Sequence, residues 1–306
     1  MKIEEIKSKN IGSIENINCV VSNNQTLVAK NGNEYVALTI TDRTGKLTIN
    51  IFDDIEKFKD FKVGDAILVR GAVSEWNGVR SLKNISARHL NVTEYKKEDF
   101  IDCYYKKSNL ETLLLETINN MTEPWKSITM RALDLDTEDK KVFKEFMECP
   151  SAEKMHGNKI HGLFYHTIGM LITASNVFKT YNKEGFISIY KGSLSDYIDK
   201  DRIYCKIILH DLEKIHEYEY NTFIRRIPNV LGHIQDGVCM IDRVNSELNN
   251  ILTREQLEDF KYSLLSHHGQ YGNYPPKTFD DTFLHLLDMI DSRVAELIDG
   301  ENNNEK

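Results

Sequence analysis

Proline and tryptophan are scarce in this chain, at five and two residues in 306. So few prolines exclude long Pro-rich linkers, and 41% hydrophobic with 28% charged residues is the composition of a folded globular protein. The length suits two domains of ordinary size or one large one, each able to bury its own core. Cysteine is equally sparse. Cys19, Cys103, Cys149, Cys205 and Cys239 are odd in number, scattered and without C-x-x-C spacing, which excludes a disulfide framework and a thiolate zinc site. They read as free thiols in cores. Long apolar runs are missing too: nothing approaches the roughly 18–20 residues of a membrane span. The N-terminal MKIEEIKSKN has no apolar segment of the secretory kind, so the chain is expected to be cytoplasmic, without a membrane partner. Also lacking is an excess of basic residues. A net charge of −8 has the wrong sign for holding nucleic acid by bulk electrostatics alone.

That charge is unevenly spread. Residues 1–95 carry 13 Lys and Arg against 12 Asp and Glu, whereas the other 211 residues carry 26 against 35. The periodicity changes near the same place. IENINCVVS, EYVALTIT, KLTINIF, DAILVRGAV and VRSLKNISARHLNV are rich in β-branched residues with alternating stretches, and NGN, DRTG and WNG supply turns between strands. Five short strands of this kind make a small closed or nearly closed barrel, although an SH3-like barrel or a small sandwich would give a similar pattern. The order, with VGDAILVRGAV before a final hairpin, resembles an OB-fold of the nucleic-acid-binding kind. From about residue 107 the spacing becomes helical. SNLETLLLETINNMT sets Leu110, Leu113, Leu114 and Ile118 on one face, and TEDKKVFKEFME offers Thr137 as an N-cap ahead of an acidic first turn. The expected fold is multidomain α and β: an OB-like five-stranded β-barrel over 1–95, a linker over 96–106, an all-α domain over 107–299, and a polar tail over 300–306.

A barrel of this type holds single strands by stacking bases on exposed rings and tracking phosphates with Lys or Arg. Tyr35, Phe52 and Trp76, with Arg43, Lys46, Arg70, Arg80 and Lys83, are the candidates. Phe52 is also the residue most readily read as core, and the charges as a solvated rim. Trp76, in the turn-like SEWNG, is the ring least suited to burial.

Nine of the ten histidines fall in the helical half, several in apolar settings such as GLFYHTIGML, KIILHDLEKI and SLLSHHGQYG. Taken singly, each is most simply a hydrogen-bonded core or surface residue. As a set they point elsewhere, because an unpaired buried imidazole carries a desolvation cost of a few kcal/mol that a divalent metal would remove. His210 and Asp211 are neighbours; if both lie on one helix, about 100° apart, they reach a metal only across the crevice between them, leaving carboxylate oxygens free to bridge to a second ion. Paired metals suit phosphoester hydrolysis, and Lys214, four residues after His210, returns to the same face to meet a phosphate oxygen. Imidazole with carboxylate favours Mn, Fe, Co or Zn over Mg or Ca.

The ordered words CPSAEKMHGNKIHGLFYHTIGML, ILHDLEKIHEY, LGHIQDG, LLSHHGQYGNYPPKT and FLHLLDMIDSRV resemble the HD-domain metal-dependent phosphohydrolases, and among them the YhaM-type 3′-to-5′ exoribonucleases. The resemblance covers nearly the whole chain, with the OB-like barrel in front as in that family. It implies His166, His210, Asp211 and Asp288 around one divalent metal, and His233, His267 and His268 around a second with Asp211 bridging, manganese being favoured ahead of cobalt, iron or zinc. Asp288 rather than Asp291 matches the last motif, although both share a helical face with His285. Lys214 is implied as a catalytic cation beside Asp211, and His156 as a residue approaching substrate. His161 stands at a family glycine and receives no role. Glu213 departs from the family's HD-x-G-K, setting an acidic side chain near the expected phosphate path.

The function expected from these residues is metal-dependent 3′-to-5′ hydrolysis of single-stranded RNA or DNA, with a homo-oligomer as a further expectation. Two alternatives stand beside it: a phosphohydrolase of a small nucleotide, and a nucleic-acid-binding protein whose helical domain has lost turnover through Glu213.

Overall fold

The structure, a computed structural model, describes residues 1–104, 108–154 and 157–304. These form two compact units, Met1–Cys103 with Glu219–Ile224, and Tyr104–Tyr218 with Arg225–Lys306.

In the first unit, strands β1 (Ile14–Val28), β2 (Glu34–Asp42), β3 (Gly45–Ile51), β4 (Ala66–Trp76) and β5 (Val79–His89) form one antiparallel sheet in the order β3-β2-β1-β4-β5. Alternation builds its interior: Ile17, Cys19 and Val21 of β1 meet Val36, Leu38 and Ile40 of β2, Ile49 and Ile51 of β3, Ile67, Val69 and Val73 of β4, and Leu82 of β5. The two edge strands approach each other, Ser81 Oγ of β5 donating to the Thr48 carbonyl of β3 at 3.2 Å, so the sheet curls toward closure. Two irregularities allow the curl. The register of β1 shifts between Val21 and Asn23, and that of β4 between Arg70 and Ala72. At the second, Gly71 is needed for space, since a Cβ there would lie 2.8 Å from Ile85 Cγ2. The first carries β1 on to Val28, well beyond the IENINCVVS stretch, with Asn24 Nδ2 donating to the Phe58 and Phe61 carbonyls around the short helix α1 (Glu56–Lys59). Phe100 and Ile101, inside the stretch expected as a linker, are buried.

The outer surface of this unit carries the rings anticipated for nucleic acid. Trp76 is 80% exposed. Phe52, expected in the core, is 59% exposed and stacks on Tyr35 at 5.0 Å. The reason is parity: Ile49 and Ile51 point inward, so the residue after Ile51 faces out. Arg43, Lys46, Arg70 and Lys83 are exposed, while Arg80 is half-buried with Nε 2.9 Å from Glu75 Oε2.

The second unit is helical: α2 (Ser108–Asn119), α3 (Trp125–Ala132), α4 (Lys141–Glu148), α5 (Gly162–Tyr181), α6 (Glu184–Tyr190), α7 (Lys200–Leu209), α8 (Gly232–Glu247), α9 (Arg254–Ser266) and α10 (Phe279–Asn304). Helix α4 begins at Lys141 rather than directly after the Thr137 cap expected from the sequence: Thr137 Oγ1 donates to the Asp134 carbonyl at 2.8 Å and accepts the Lys140 N–H at 3.3 Å, so it closes a turn ahead of the helix, and Lys140, at φ 49°, separates the two. A true capping box opens α9, where Thr253 and Gln256 bond each other's backbone. Helix α5 is buried on several faces through Leu163, Phe164, Ile168, Met170, Leu171 and Phe178, so it forms the centre, packed against α4, α7 and α10. Helix α7 ends beside His166, at His210, and α10 passes it in mid-helix through Asp288 and Asp291, which gathers these words in one place. The last helix runs to Asn304, through most of the stretch read as a polar tail. Among the described residues no helix is long and apolar enough to cross a membrane.

Candidate metal centre

Four local structures aim the imidazoles. His166 lies inside α5. His210 and His267 occupy equivalent places, each the residue just past the last turn of α7 or α9, where their Nδ1 atoms meet the i−3 carbonyls of Ile207 at 2.8 Å and Leu264 at 2.7 Å. A free carbonyl is available there only because the helix stops. That contact puts the proton on Nδ1 and leaves the Nε2 lone pair directed away from the helix. His233 opens α8, its backbone N–H donating to Glu217 Oε1 at 2.6 Å. The His210–Asp211 pair therefore does not sit within a helix, as the sequence reading assumed. Helix α7 ends at Leu209, Asp211 has φ −115° and ψ 8°, and a 3₁₀ turn over Leu212–His216 follows.

The Nε2 atoms converge on two carboxylates. His166 Nε2 is 3.3 Å from Asp288 Oδ1 and 3.4 Å from His210 Nε2. His210 Nε2 is in turn 3.2 Å from Asp211 Oδ2. On the other side of that carboxylate, Asp211 Oδ1 is 3.3 Å from His233 Nε2 and 3.7 Å from His267 Nε2, with His268 completing the group. In each of the two sets, His166, His210 and Asp288, and Asp211, His233, His267 and His268, one ligand atom per residue lies within 4.8 Å of the others. Asp211 stands between them.

Among the described residues, part of this centre is left without hydrogen-bond partners. Five buried side-chain polar atoms among the described residues lack a hydrogen-bond partner, and four of them are here: Asp211 Oδ1, both ring nitrogens of His233 and His267 Nε2. Each orphan costs about 1–3 kcal/mol. Two Nε2 lone pairs facing each other across 3.4 Å, as at His166 and His210, repel unless a proton or a cation lies between. The donor set therefore fits divalent cations of the borderline class.

The electrostatics agree. Burial opposes charge on His166, but the Asp288 and Asp291 carboxylates outweigh it and raise its pKa to about 10, so without a cation the ring carries a proton. Burial and the nearby His210 hold His267 well below the usual histidine range, in the neutral form a metal requires. Asp211 is buried, yet Lys214 and His210 keep it ionised. Lys214 Nζ lies 2.6 Å from Asp211 Oδ2, and although burial works against its charge, Asp211 raises its pKa. It is thus a half-buried partner of the centre.

Two carboxylates support the rings from outside: Asp291, weighed in the sequence only as a rival to Asp288, and Glu217, which the sequence reading missed. Asp291 Oδ2 lies 2.7 Å from His166 Nδ1, and Glu217 Oε1 lies 3.2 Å from His233 Nδ1, although not aligned as a hydrogen bond. Glu217 is itself held by Arg226 at 2.8 Å, and despite burial its contacts with His233 and Arg226 lower its pKa to about 2. Such partners fix ring orientation and tautomer at metal sites. A signal for Asp291 existed in the sequence: a glycine in the middle of the apolar helix α5. A Cβ at Gly169 would collide with the Asp291 carboxylate.

An open cavity of about 440 Å³ exposes the centre, lined by His166, Asp211, Lys214, His233, His268 and Asp288 among others. Glu213 is not among its lining residues. Its carboxylate lies 2.6 Å from His216 Nδ1, which removes the acidic obstruction expected from the sequence. His161 keeps its Nδ1 on the Met147 carbonyl, away from the centre. His156 lies outside the described residues.

Residues 15–97 match the family of OB-fold nucleic acid binding domains. A protein of Bacillus pumilus named 3'-5' exoribonuclease YhaM is 25% identical, the match covering 94% of this chain and 88% of that protein. Proteins of the same name from Oceanobacillus iheyensis and Bacillus licheniformis are 28% and 27% identical, each match covering 87% of this chain and 80% or 81% of theirs. Over most of its length the chain is a homologue of proteins named 3'-5' exoribonuclease YhaM, with an OB-fold nucleic acid binding domain at its N-terminus.

Proposed function

We propose that the protein is a metal-dependent 3′-to-5′ exonuclease of the HD-domain type that acts in the cytoplasm on single-stranded RNA, with DNA as a second substrate. The observation that carries this reading is the cluster of four unsatisfied buried atoms on Asp211, His233 and His267, the first two of which line an open cavity. The names of the homologous proteins support the same substrate class.

Two divalent cations, manganese by preference with cobalt, iron or zinc as substitutes, would be held by His166, His210, Asp211 and Asp288 and by Asp211, His233, His267 and His268, and would supply Lewis-acid stabilisation of phosphoryl oxygens. Asp211 offers one carboxylate oxygen to each set. Lys214 brings a fixed positive charge to the cavity wall, where it opposes the charge that develops on the phosphate. Asp291 and Glu217 keep His166 and His233 in place. The barrel holds the strand through Trp76 and the Tyr35–Phe52 stack, with Arg43 and Arg80 as cationic partners, and the family resemblance adds His156 as a substrate contact.

Digestion of a 3′-extended, 5′-labelled RNA in the presence of Mn²⁺ tests the reading. A ladder shrinking one nucleotide at a time from the 3′ end is expected; release of phosphate from mononucleotides with no dependence on chain length would favour the small-nucleotide alternative. Metal should also stabilise the fold. At a hundredfold excess over its Kd, one cation contributes about 2.7 kcal/mol, so the thermal midpoint rises with Mn²⁺ and falls on chelation. An unchanged midpoint would argue against a cation in this centre. Replacing Trp76 by alanine is expected to weaken single-strand binding by about 1–3 kcal/mol with little change in thermal midpoint, as read by fluorescence anisotropy.

A further inference from the structure

The cavity wall carries one feature that the metal centre does not use. Tyr271 is 65% exposed yet lines the cavity that holds His166, Asp211 and Asp288, and Arg293 lines it as well. Tyr271 ends the 3₁₀ turn Gly269–Tyr271 that follows directly on His267 and His268, its N–H donating to the His268 carbonyl at 3.0 Å. The turn has little freedom: Gly269 has φ +54°, and the His285 ring fills the space a Cβ would need. The position of the tyrosine is thus fixed relative to the centre. Arg293, on α10 five residues beyond Asp288, reaches across with Nη2 3.3 Å from the Tyr271 hydroxyl and its guanidinium carbon 5.8 Å from the ring centroid.

We propose that Tyr271 and Arg293 form a nucleotide subsite at the cavity mouth, the ring stacking on an unpaired base beside the bond that is cut and the guanidinium binding a phosphate. This rests on the exonuclease reading above. An exposed, rigidly mounted tyrosine presents a π-face that any base can use. Arg293 is at present paired with Glu296 at 2.6 Å, but its side chain is 56% exposed, and an exposed pair of this kind contributes little. A phosphate offers the guanidinium a stronger, two-pronged partner. A base must leave its complement to stack here, so the preference for single-stranded ends arises at the cutting site itself, apart from any selection by the barrel.

The test uses the full-length protein with Mn²⁺ and three RNAs: an intact oligomer, and versions with an abasic residue at the terminal or the penultimate position. Wild type should be slowed about tenfold by one of the abasic substitutions. Tyr271→Leu should be slowed by a similar factor on the intact RNA and show no further loss on the abasic one. Tyr271→Phe should behave as wild type, which a merely structural hydroxyl contact to Arg293 would not allow. Arg293→Gln should raise KM several-fold with a smaller change in kcat. Equal rates for Tyr271→Leu and wild type on intact RNA, or continued discrimination by Tyr271→Leu between intact and abasic ends, would overturn the subsite alone. Wild type inactive on all three RNAs would instead remove the exonuclease reading, and the subsite with it.

Discussion

Asp211→Asn is expected to lower turnover of single-stranded RNA by roughly a thousandfold or more, the scale seen when a group that stabilises transition-state charge is lost. The substitution keeps the size of the side chain and removes only its charge and one acceptor oxygen. Both oxygens matter, since Oδ2 faces His166 and His210 while Oδ1 faces His233 and His267. The metal content of the purified protein, measured by elemental analysis, should fall together with the activity. A second effect must be separated from this one. Lys214 is half-buried at the cavity wall and its short contact is with Asp211, so Asp211→Asn leaves the ammonium without its counter-charge, a loss that solvent in the cavity keeps below the roughly 3–5 kcal/mol of a fully buried pair. Adding Lys214→Met should recover most of that stability but none of the turnover. A double variant that regained activity would show that Asp211 serves only to neutralise Lys214.

A comparable effect on stability is expected at a separate buried ion network on α7, four residues before His210. Lys206, on α7, is fully buried, with Nζ 2.6 Å from Asp259 Oδ2 and 2.8 Å from Asp280 Oδ2. Asp280 also accepts from Arg202 at 2.6 and 2.9 Å. Lys206→Ala removes the cation, opens a cavity and leaves two carboxylates close together, and should cost about 3–5 kcal/mol in urea unfolding. Lys206→Met with Asp259→Asn should recover most of this, because Asp280 keeps Arg202. The pH dependence has a defined sign. Burial opposes ionisation of Asp280, but Arg202 and Lys206 outweigh it and depress its pKa. Its contribution is therefore present above the unfolded-state pKa and lost as pH falls through the lower folded value. Weakening that depression by removing Lys206 should move the onset of acid unfolding to higher pH. An unaltered acid limb would mean that Arg202 alone holds Asp280 ionised.

Much of this architecture could be read from the chain because the signals are local. Strand alternation and turn residues gave the five strands of the barrel, and helical spacing gave the second unit. Where expectation and structure part, a neighbour decides. Phe52 faces out because strand parity follows Ile51, and β1 outruns its apolar stretch because a bulge after Val21 redirects it. Thr137 closes a turn rather than capping α4, because Lys140, at φ 49°, interrupts the backbone before the helix begins.

The candidate centre divides along the same line. Histidine and carboxylate identity, and their order in five separate words, belong to the sequence, whereas the choice among them as ligands came from the family resemblance. The sequence by itself determined the two kinds of periodicity and the supply of imidazoles in apolar surroundings, since both depend on residues near one another in the chain. Only the tertiary structure decided that His210 and His267 sit where their helices end, that their Nδ1 atoms take backbone carbonyls and free Nε2, and that Glu213 turns to His216. It alone brought Asp291 to His166 past Gly169. These are outcomes of where a backbone breaks and which distant side chain fills the space, and no local pattern encodes them.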